Sequence, residues 1–223
     1  MNDKTRDSPT SGLIKIEPTQ SMNSNITEIL RKLFKLLDKF LPQHPDLFDY
    51  LSAVMDKEFC PEDKVLYRPG DLVDKAYYVA CGLVILYVKV RGKKLLVNIY
   101  RENEIVAIPA FHNGKASEFY LEAIAGTFLA YVTREQMIHV YATFDATNEL
   151  SRKIMSRTES KIYKHLLDLT HKGIVVVERF YKRFPNLLLV GKLLTDAEVA
   201  SYLNMTKGTL GFLRRKLLDD GAV

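Results

Sequence analysis

Cysteine is scarce in this sequence, and no uncharged run is long enough to cross a membrane. Only Cys60 and Cys81 are present, too few for a four-thiolate zinc or iron–sulfur site within one chain. The longest stretch without a charged residue is 76–88, well short of the roughly 20 apolar residues of a membrane helix. The polar N-terminus lacks the residue order of a secretory signal. We therefore expect a cytoplasmic protein with no cofactor and no membrane segment.

The motifs of common enzyme classes are also missing. The sequence contains no His-x-x-x-His, no Gly-x-Ser-x-Gly and no phosphate-cradling glycine-rich loop. The histidines are scattered, at positions 44, 112, 139, 165 and 171. We therefore expect a binding protein and not an enzyme.

Positive charge is concentrated at the C-terminal end. Residues 151–223 carry 14 basic and 7 acidic side chains, whereas residues 24–150 carry 15 and 17. A segregated basic segment is typical of a domain that meets nucleic acid, although basic helix faces are often merely solvated. The charge distribution alone therefore does not establish nucleic-acid binding, and a motif in the same region must support it.

The chain begins with a polar segment and then becomes helical. Residues 1–23 lack apolar periodicity and predict a mobile tail. From Ile26 to Phe40, apolar residues recur at spacings of three and four, which predicts a helix that ends before Pro42. Phe48, Leu51 and Val54 indicate a second short helix.

Short apolar runs separated by turn residues fill the region from Phe59 to Val132. Arg91-Gly92 lies between two of these runs and indicates a hairpin. The predicted strands are 65–67, 76–79, 84–90, 95–100, 118–124 and 128–133. Because no crossover helix fits between them, they predict an antiparallel barrel or jelly roll.

A long helix follows, with an apolar stripe that must be buried against something. The stripe includes Leu150, Ile154, Ile162, Leu166 and Leu169. It could cover part of its own domain. A stripe of about five turns exceeds what a small barrel covers, so we favour the same helix of a second copy, which gives a homodimer.

Two short helices at the C-terminus are each preceded by a capping threonine. Thr195 and Glu198 form a capping box, Thr206 is the second N-cap, and Asn204 tolerates the positive φ of the turn between the helices. Such a pair with a basic second helix is typical of the helix-turn-helix, whose second helix fits the major groove. An ordinary helical hairpin with solvated lysines is the alternative.

The order of these elements, and several short motifs within them, resemble one bacterial family. The motifs are Tyr67-Arg68-Pro69-Gly70-Asp71, then residues 76–82, 117–120 and 177–181, and finally Thr195 to Arg215. Over residues 25–218 the sequence is similar to the family of the cyclic-AMP receptor protein and the fumarate and nitrate reduction regulator. The resemblance implies a cyclic-nucleotide-binding-type barrel, a homodimer and a module that binds double-stranded DNA and recruits or blocks RNA polymerase.

The effector pocket departs from the pattern of the nucleotide-binding members. Those members carry a Gly-Glu pair that holds the ribose and a downstream Arg that neutralises the cyclic phosphate. The matching positions are Val106-Ala107 and Ser117-Glu118, so Glu118 replaces a needed cation and should repel phosphate. We expect a pocket that takes a less anionic ligand or none.

The second helix of the motif also departs from the family. Positions that commonly carry a Glu and an Arg to read bases are Gly208 and Phe212, whereas Thr209, expected at a phosphate, is retained. The residues predicted to contact DNA are Thr195, Thr206, Lys207, Thr209, Phe212, Arg214, Arg215 and Lys216. The alternative is a sensor that acts through a protein partner and has a degenerate helix-turn-helix.

We therefore predict an α+β chain with four parts. These are a mobile tail (1–23), a cyclic-nucleotide-binding-like sensor domain built on an antiparallel barrel or jelly roll (24–144), a dimerisation helix (145–171) and a helix-turn-helix domain (172–223).

Overall fold

The computed structural model describes residues 26–188 and 193–222. The predicted tail, residues 1–23, lies outside the described residues. The helices are α1 (Ile26–Leu37), α2 (Pro45–Val54), α3 (Pro109–Asn113), α4 (Arg134–Thr143), α5 (Thr147–Asp168), α6 (Gly173–Arg183), α7 (Asp196–Tyr202) and α8 (Lys207–Asp219), with a 3₁₀ turn at Pro185–Leu187. The strands are β1 (Asp56–Cys60), β2 (Lys64–Tyr67), β3 (Lys75–Cys81), β4 (Leu83–Val90), β5 (Lys93–Arg101), β6 (Ile105–Val106), β7 (Tyr120–Ala123) and β8 (Thr127–Thr133).

The strands form two four-stranded antiparallel sheets, in the orders β1-β8-β3-β6 and β2-β7-β4-β5. This confirms the predicted α+β class and the antiparallel pairing of the strands in the N-terminal module. The two sheets do not close into a continuous barrel. The apolar patterns of the sequence do not predict β1, β6 or α3, because each of these elements is short and lacks a clear apolar periodicity.

The hairpin between β4 and β5 confirms its sequence signal. Arg91 and Gly92 both have positive φ, 49° and 77°. Positive φ at both central residues is the geometry of a type I′ turn, whose twist matches that of the flanking strands. Strand pairing runs from Val90 opposite Lys93 to Leu83 opposite Arg101. The pairing shifts by one residue between Leu86 and Tyr87, so the turn sets the register only as far as the pair of Tyr87 and Leu96.

The buried apolar side chains form two clusters. The first lies between the sheets and against α1, α2, α4 and the start of α5. The second joins the outer face of β4 and β5, through residues such as Tyr87 and Ile99, to Phe180, Tyr202 and Leu210 of the C-terminal helices. The helix-turn-helix therefore shares a core with the sensor sheet.

The apolar stripe predicted for the long helix α5 must be corrected, because its residues do not all lie on one exposed face. Leu150 is only 7% exposed and Ile154 is half-buried, because both pack against the sensor module of their own chain. Leu169, just after α5, packs against the second cluster. Ile162 and Leu166 are exposed, and Met155, exposed as well, lies seven residues before Ile162 on the same face. Met155, Ile162 and Leu166 therefore form an exposed row, and Tyr163 and Leu167 beside it are exposed as well.

Within the described ranges, no helix is both long enough and apolar enough to span a membrane.

Candidate nucleic-acid interface and sensor pocket

The two helices of the C-terminal motif begin where side chains satisfy their first free backbone groups. At α7, Thr195 Oγ1 accepts from the backbone N–H of Glu198 at 3.3 Å, and Glu198 Oε2 accepts from that of Thr195 at 2.8 Å. At α8, Thr206 Oγ1 accepts from the backbone N–H of Thr209 at 3.1 Å. Asn204 has a φ of 51° in the turn between them. The capping box, the second cap and the left-handed asparagine are thus confirmed.

Helix α7 lies directly on strand β5. The Ser201 hydroxyl accepts from the backbone N–H of Leu96 at 3.1 Å. The ammonium of Lys94 lies 2.9 Å from the Glu122 carboxylate and 3.4 Å from that of Glu198. Since Val199 and Ala200 are also buried, α7 is fixed to the sensor sheet and leaves α8 on the outside.

The inner face of α8 contains an ion pair as well as leucines. Arg214 is 8% exposed and lies between Leu210 and Leu217 on this face. Its two terminal nitrogens donate to both carboxylate oxygens of Asp196, at 2.7 and 3.0 Å. The hydrogen bonds from Arg214 hold the pKa of Asp196 below its ordinary range. The expectation that Arg214 contacts DNA must be corrected, because its guanidinium is engaged inside the motif.

The outer face of α8 keeps the other predicted residues accessible. Lys207, Thr209, Arg215 and Lys216 are exposed, and Phe212 is 61% exposed. An exposed phenyl ring between cations is unusual on a solvated helix, where polar side chains are the norm. This face combines groups for phosphates with one apolar group able to meet a thymine methyl.

The two glycines of α8 are not required by packing. A Cβ on Gly211 would meet nothing within 4 Å, and one on Gly208 would make only an ordinary contact, at 3.8 Å from the Thr206 hydroxyl. Each helical glycine costs about 1 kcal/mol relative to alanine. The helix thus presents bare backbone where a large molecule could approach closely.

The hydroxyls of the two capping threonines are already engaged. Thr195 Oγ1 lies 2.8 Å from Glu198 Oε2, and Thr206 Oγ1 lies 2.8 Å from Thr209 Oγ1. Both residues are exposed, but their hydroxyls serve first to hold the helix ends. A direct role for them at DNA stays a prediction.

The predicted effector positions lie around α3 and the loop that follows it. Val106 is buried on β6, and Ala107 is half-buried just after it. The Ser117 hydroxyl bonds within its own loop, donating to the Phe119 carbonyl at 2.7 Å and accepting from the Phe119 N–H at 3.2 Å. Glu118 is exposed. Neither Ser117 nor Glu118 offers a positive charge to an anion.

The architecture is that of a two-sheet N-terminal module joined by a long helix to a helix-turn-helix. Solved structures share it: FixK2 from Bradyrhizobium japonicum has a TM-score of 0.62 and 19% identity, covering 75% of this chain and 86% of that chain. CLP from Xanthomonas campestris, a c-di-GMP-responsive global regulator, has a TM-score of 0.55 and 17% identity, covering 80% and 93%. TTHA1359 from Thermus thermophilus, a transcriptional regulator of the CRP/FNR family, has a TM-score of 0.54 and 18% identity, covering 75% and 87%.

At these identities the similarity establishes the fold. No protein-family model matches the sequence, and no curated protein matches it closely.

Proposed function

We propose that this chain is a DNA-binding transcription regulator of the CRP/FNR type, with a regulatory and not an enzymatic role. The observation that carries the proposal is the outer face of α8. It holds exposed Lys207, Arg215, Lys216 and Phe212 on a helix whose other face is anchored by Arg214. The shared fold with transcription regulators supports it, because in that architecture a terminal helix-turn-helix is the part suited to the major groove.

We propose that the regulator acts as a homodimer through the row Met155, Ile162 and Leu166. These apolar side chains are exposed on one face of α5, at the seven- and four-residue spacings that helix pairs bury. A dimer presents two copies of α8 and therefore fits a palindromic site with half-sites one helical turn, or a multiple of it, apart. Once bound, it recruits or blocks RNA polymerase.

We expect the sensor module not to bind cyclic AMP or cyclic GMP usefully. The Ser117 hydroxyl is engaged with Phe119, and Glu118 adds a negative charge where the cyclic phosphate would need a cation. Calorimetry with either nucleotide should give a dissociation constant weaker than about 1 mM. Micromolar binding would contradict this expectation and would point to a phosphate site built from other cations.

The outer face of α8 should supply affinity from its cations and sequence preference from Phe212. Replacing Arg215 with alanine should weaken binding to all duplexes and lower the slope of log K against log salt by about one for each phosphate that the side chain neutralises. Replacing Phe212 with alanine should mainly relax the preference at one thymine, by about 1–3 kcal/mol. Fluorescence anisotropy of a selected palindrome and a scrambled duplex at several salt concentrations measures both.

The matched control is Lys57→Ala, which removes an exposed cation from β1, outside the helix-turn-helix. It should leave affinity and salt slope unchanged. If the wild-type protein binds neither duplex even at low salt, the regulator proposal fails. The sensor acting through a protein partner would then be the better account.

A further inference from the structure

The hairpin of β4 and β5 carries a concentration of positive charge outside the helix-turn-helix. Residues 83–101 contain five basic side chains and no acidic one, although residues 24–150 as a whole carry 15 basic and 17 acidic side chains. Four of the five lie in residues 89–94, which we call the hairpin tip: Lys89, Arg91, Lys93 and Lys94. The basic surface of this chain therefore extends beyond its C-terminal segment.

Three of these four cations have no carboxylate partner. Lys94 is paired with two carboxylates, whereas Lys89, Arg91 and Lys93 are exposed and form no ion pair within the ranges that the structure describes. The Lys89 ammonium lies 4.8 Å from the centre of the Tyr120 ring. Lys89 is paired across the strands with Lys94, on the side of the hairpin that meets α7, while Arg91 lies in the turn itself. Positive charge therefore surrounds the end of a well-defined type I′ turn.

Two contacts fix the direction in which the hairpin tip points relative to α7. The backbone N–H of Leu96 donates to the Ser201 hydroxyl at 3.1 Å, and the Lys94 ammonium lies 3.4 Å from the Glu198 carboxylate. Moving along β5 toward the turn is therefore moving along α7 toward its start. The turn lies about 13 Å from Leu96 along the strand, and Thr195 lies about 9 Å from Ser201 along the helix. The hairpin tip thus reaches at least as far as the start of α7.

The other end of α7 faces α5, the helix proposed to form the dimer. The His165 ring of α5 stacks on Tyr202 with 3.9 Å between the ring centroids, and His165 Nε2 lies 3.0 Å from the Tyr202 carbonyl oxygen. The hairpin tip is therefore on the side of the helix-turn-helix that points away from α5. Since the first helix of such a motif crosses the DNA backbone, a bound duplex continues past this side, outside the half-site that α8 contacts.

We propose that the hairpin tip binds the phosphate backbone of DNA outside each half-site, through Lys89, Arg91 and Lys93. This inference rests on the proposed binding of DNA by α8. Exposed cations without a carboxylate partner match a row of phosphates, whose charge is the same in every sequence. The contact therefore adds affinity and salt dependence and leaves the base preference unchanged. In a dimer, the two hairpin tips contact the two outer flanks of one palindrome.

The test compares two duplexes of the selected palindrome, one trimmed to its half-sites and one extended at each end by about ten base pairs, one helical turn. Arg91→Asn combined with Lys93→Gln removes two charges and keeps the turn, because Asn-Gly is a preferred type I′ sequence. Fluorescence anisotropy should show that the wild type binds the extended duplex about tenfold or more tightly at about 0.1 M salt. The double variant should lose this gain, and its slope of log K against log salt on the extended duplex should fall by up to about four.

The matched control is Lys35→Gln combined with Lys57→Gln, which removes the same charge from exposed positions on α1 and β1. The control should keep the gain from extension, and both double variants should bind the trimmed duplex equally well. If the wild type gains nothing from extension, or the hairpin variant gains as much as the wild type, the inference is wrong and DNA binding by α8 stands.

Two further results would also overturn the inference. If neither duplex binds even at low salt, the DNA-binding proposal fails and the role of the hairpin tip fails with it. If the hairpin variant binds both duplexes as the wild type does but no longer regulates transcription, the hairpin tip contacts an acidic protein surface and not DNA.

Discussion

Replacing Arg214 with methionine is expected to destabilise the helix-turn-helix strongly, because its guanidinium is paired on the inner face of α8. Its guanidinium makes two hydrogen bonds to Asp196, and the two side chains are 10% and 14% exposed. Removing one partner of a buried pair leaves the other charge without compensation, which costs about 3–5 kcal/mol. We expect a loss near the lower end of that range, because Asp196 keeps some contact with solvent. Urea unfolding followed by circular dichroism measures it.

Arg215→Met is the matched control for this experiment. Arg215 is the next residue in the same helix, carries the same charge and is exposed. Its replacement should change the free energy of unfolding by no more than about 0.5 kcal/mol, while weakening DNA binding. The opposite pattern would be an Arg214→Met variant that is as stable as wild type and fails to bind DNA. That result would indicate that Arg214 contacts DNA phosphates.

The stabilisation from this pair should also depend on pH in a defined direction. The Arg214 hydrogen bonds lower the pKa of Asp196 in the folded protein below its ordinary value of 3.8. A carboxyl with a depressed folded pKa stabilises the protein fully above its unfolded pKa and loses that contribution as the pH falls through the folded value. The difference in unfolding free energy between wild type and Asp196→Asn should therefore be constant near neutral pH and shrink below about pH 4.

Arg214 also shows what the sequence allowed us to predict and what it did not. The residue lies four positions after Leu210 and three before Leu217, so helical spacing alone places it on the inner face. Charge suggested DNA instead, because nothing local identifies Asp196, 18 residues earlier, as its partner. Local signals such as the Thr195 box, the Thr206 cap and the Asn204 turn were predictable because each depends on a few adjacent residues.

Contacts between distant elements were the part that local patterns could not supply. The docking of α7 on β5 joins Ser201 to Leu96 across 105 positions, and no periodicity encodes which surfaces meet. This contact was absent from the sequence-based expectations for this reason.

The apolar stripe of α5 was only partly predictable. Over the 22 residues of this helix, positions spaced by three and four drift around the helix axis and reach a different face. Leu150 and Ile154 meet the sensor module, and by Ile162 the apolar row has moved to the exposed side. Sequence spacing alone assigns the residues of both faces to a single stripe. The exposed fractions of the side chains distinguish the buried face from the exposed one, and they add Met155 to the proposed interface.

Ile162→Glu should therefore dissociate the proposed dimer without unfolding the chain. Ile162 is 37% exposed in a single chain and lies between Met155 and Leu166 in the exposed row. In a paired helix the new carboxylate would lose its water and face its own copy across the two-fold axis, and burying an unpaired charge costs several kcal/mol. In an isolated chain it would remain solvated. Sedimentation at micromolar concentration should show a change from a dimer to a 25.5 kDa monomer.

The matched control is Ser160→Glu, which adds the same charge two residues earlier on α5, away from the row of Met155, Ile162 and Leu166. It should leave the dimer intact, because its carboxylate stays in water. DNA affinity provides the second measurement: Ile162→Glu should bind a palindrome no better than a single half-site, since each monomer offers only one α8. A wild-type protein that sediments as a monomer, or an Ile162→Glu variant that remains dimeric, would show that copies of this chain do not associate through that face.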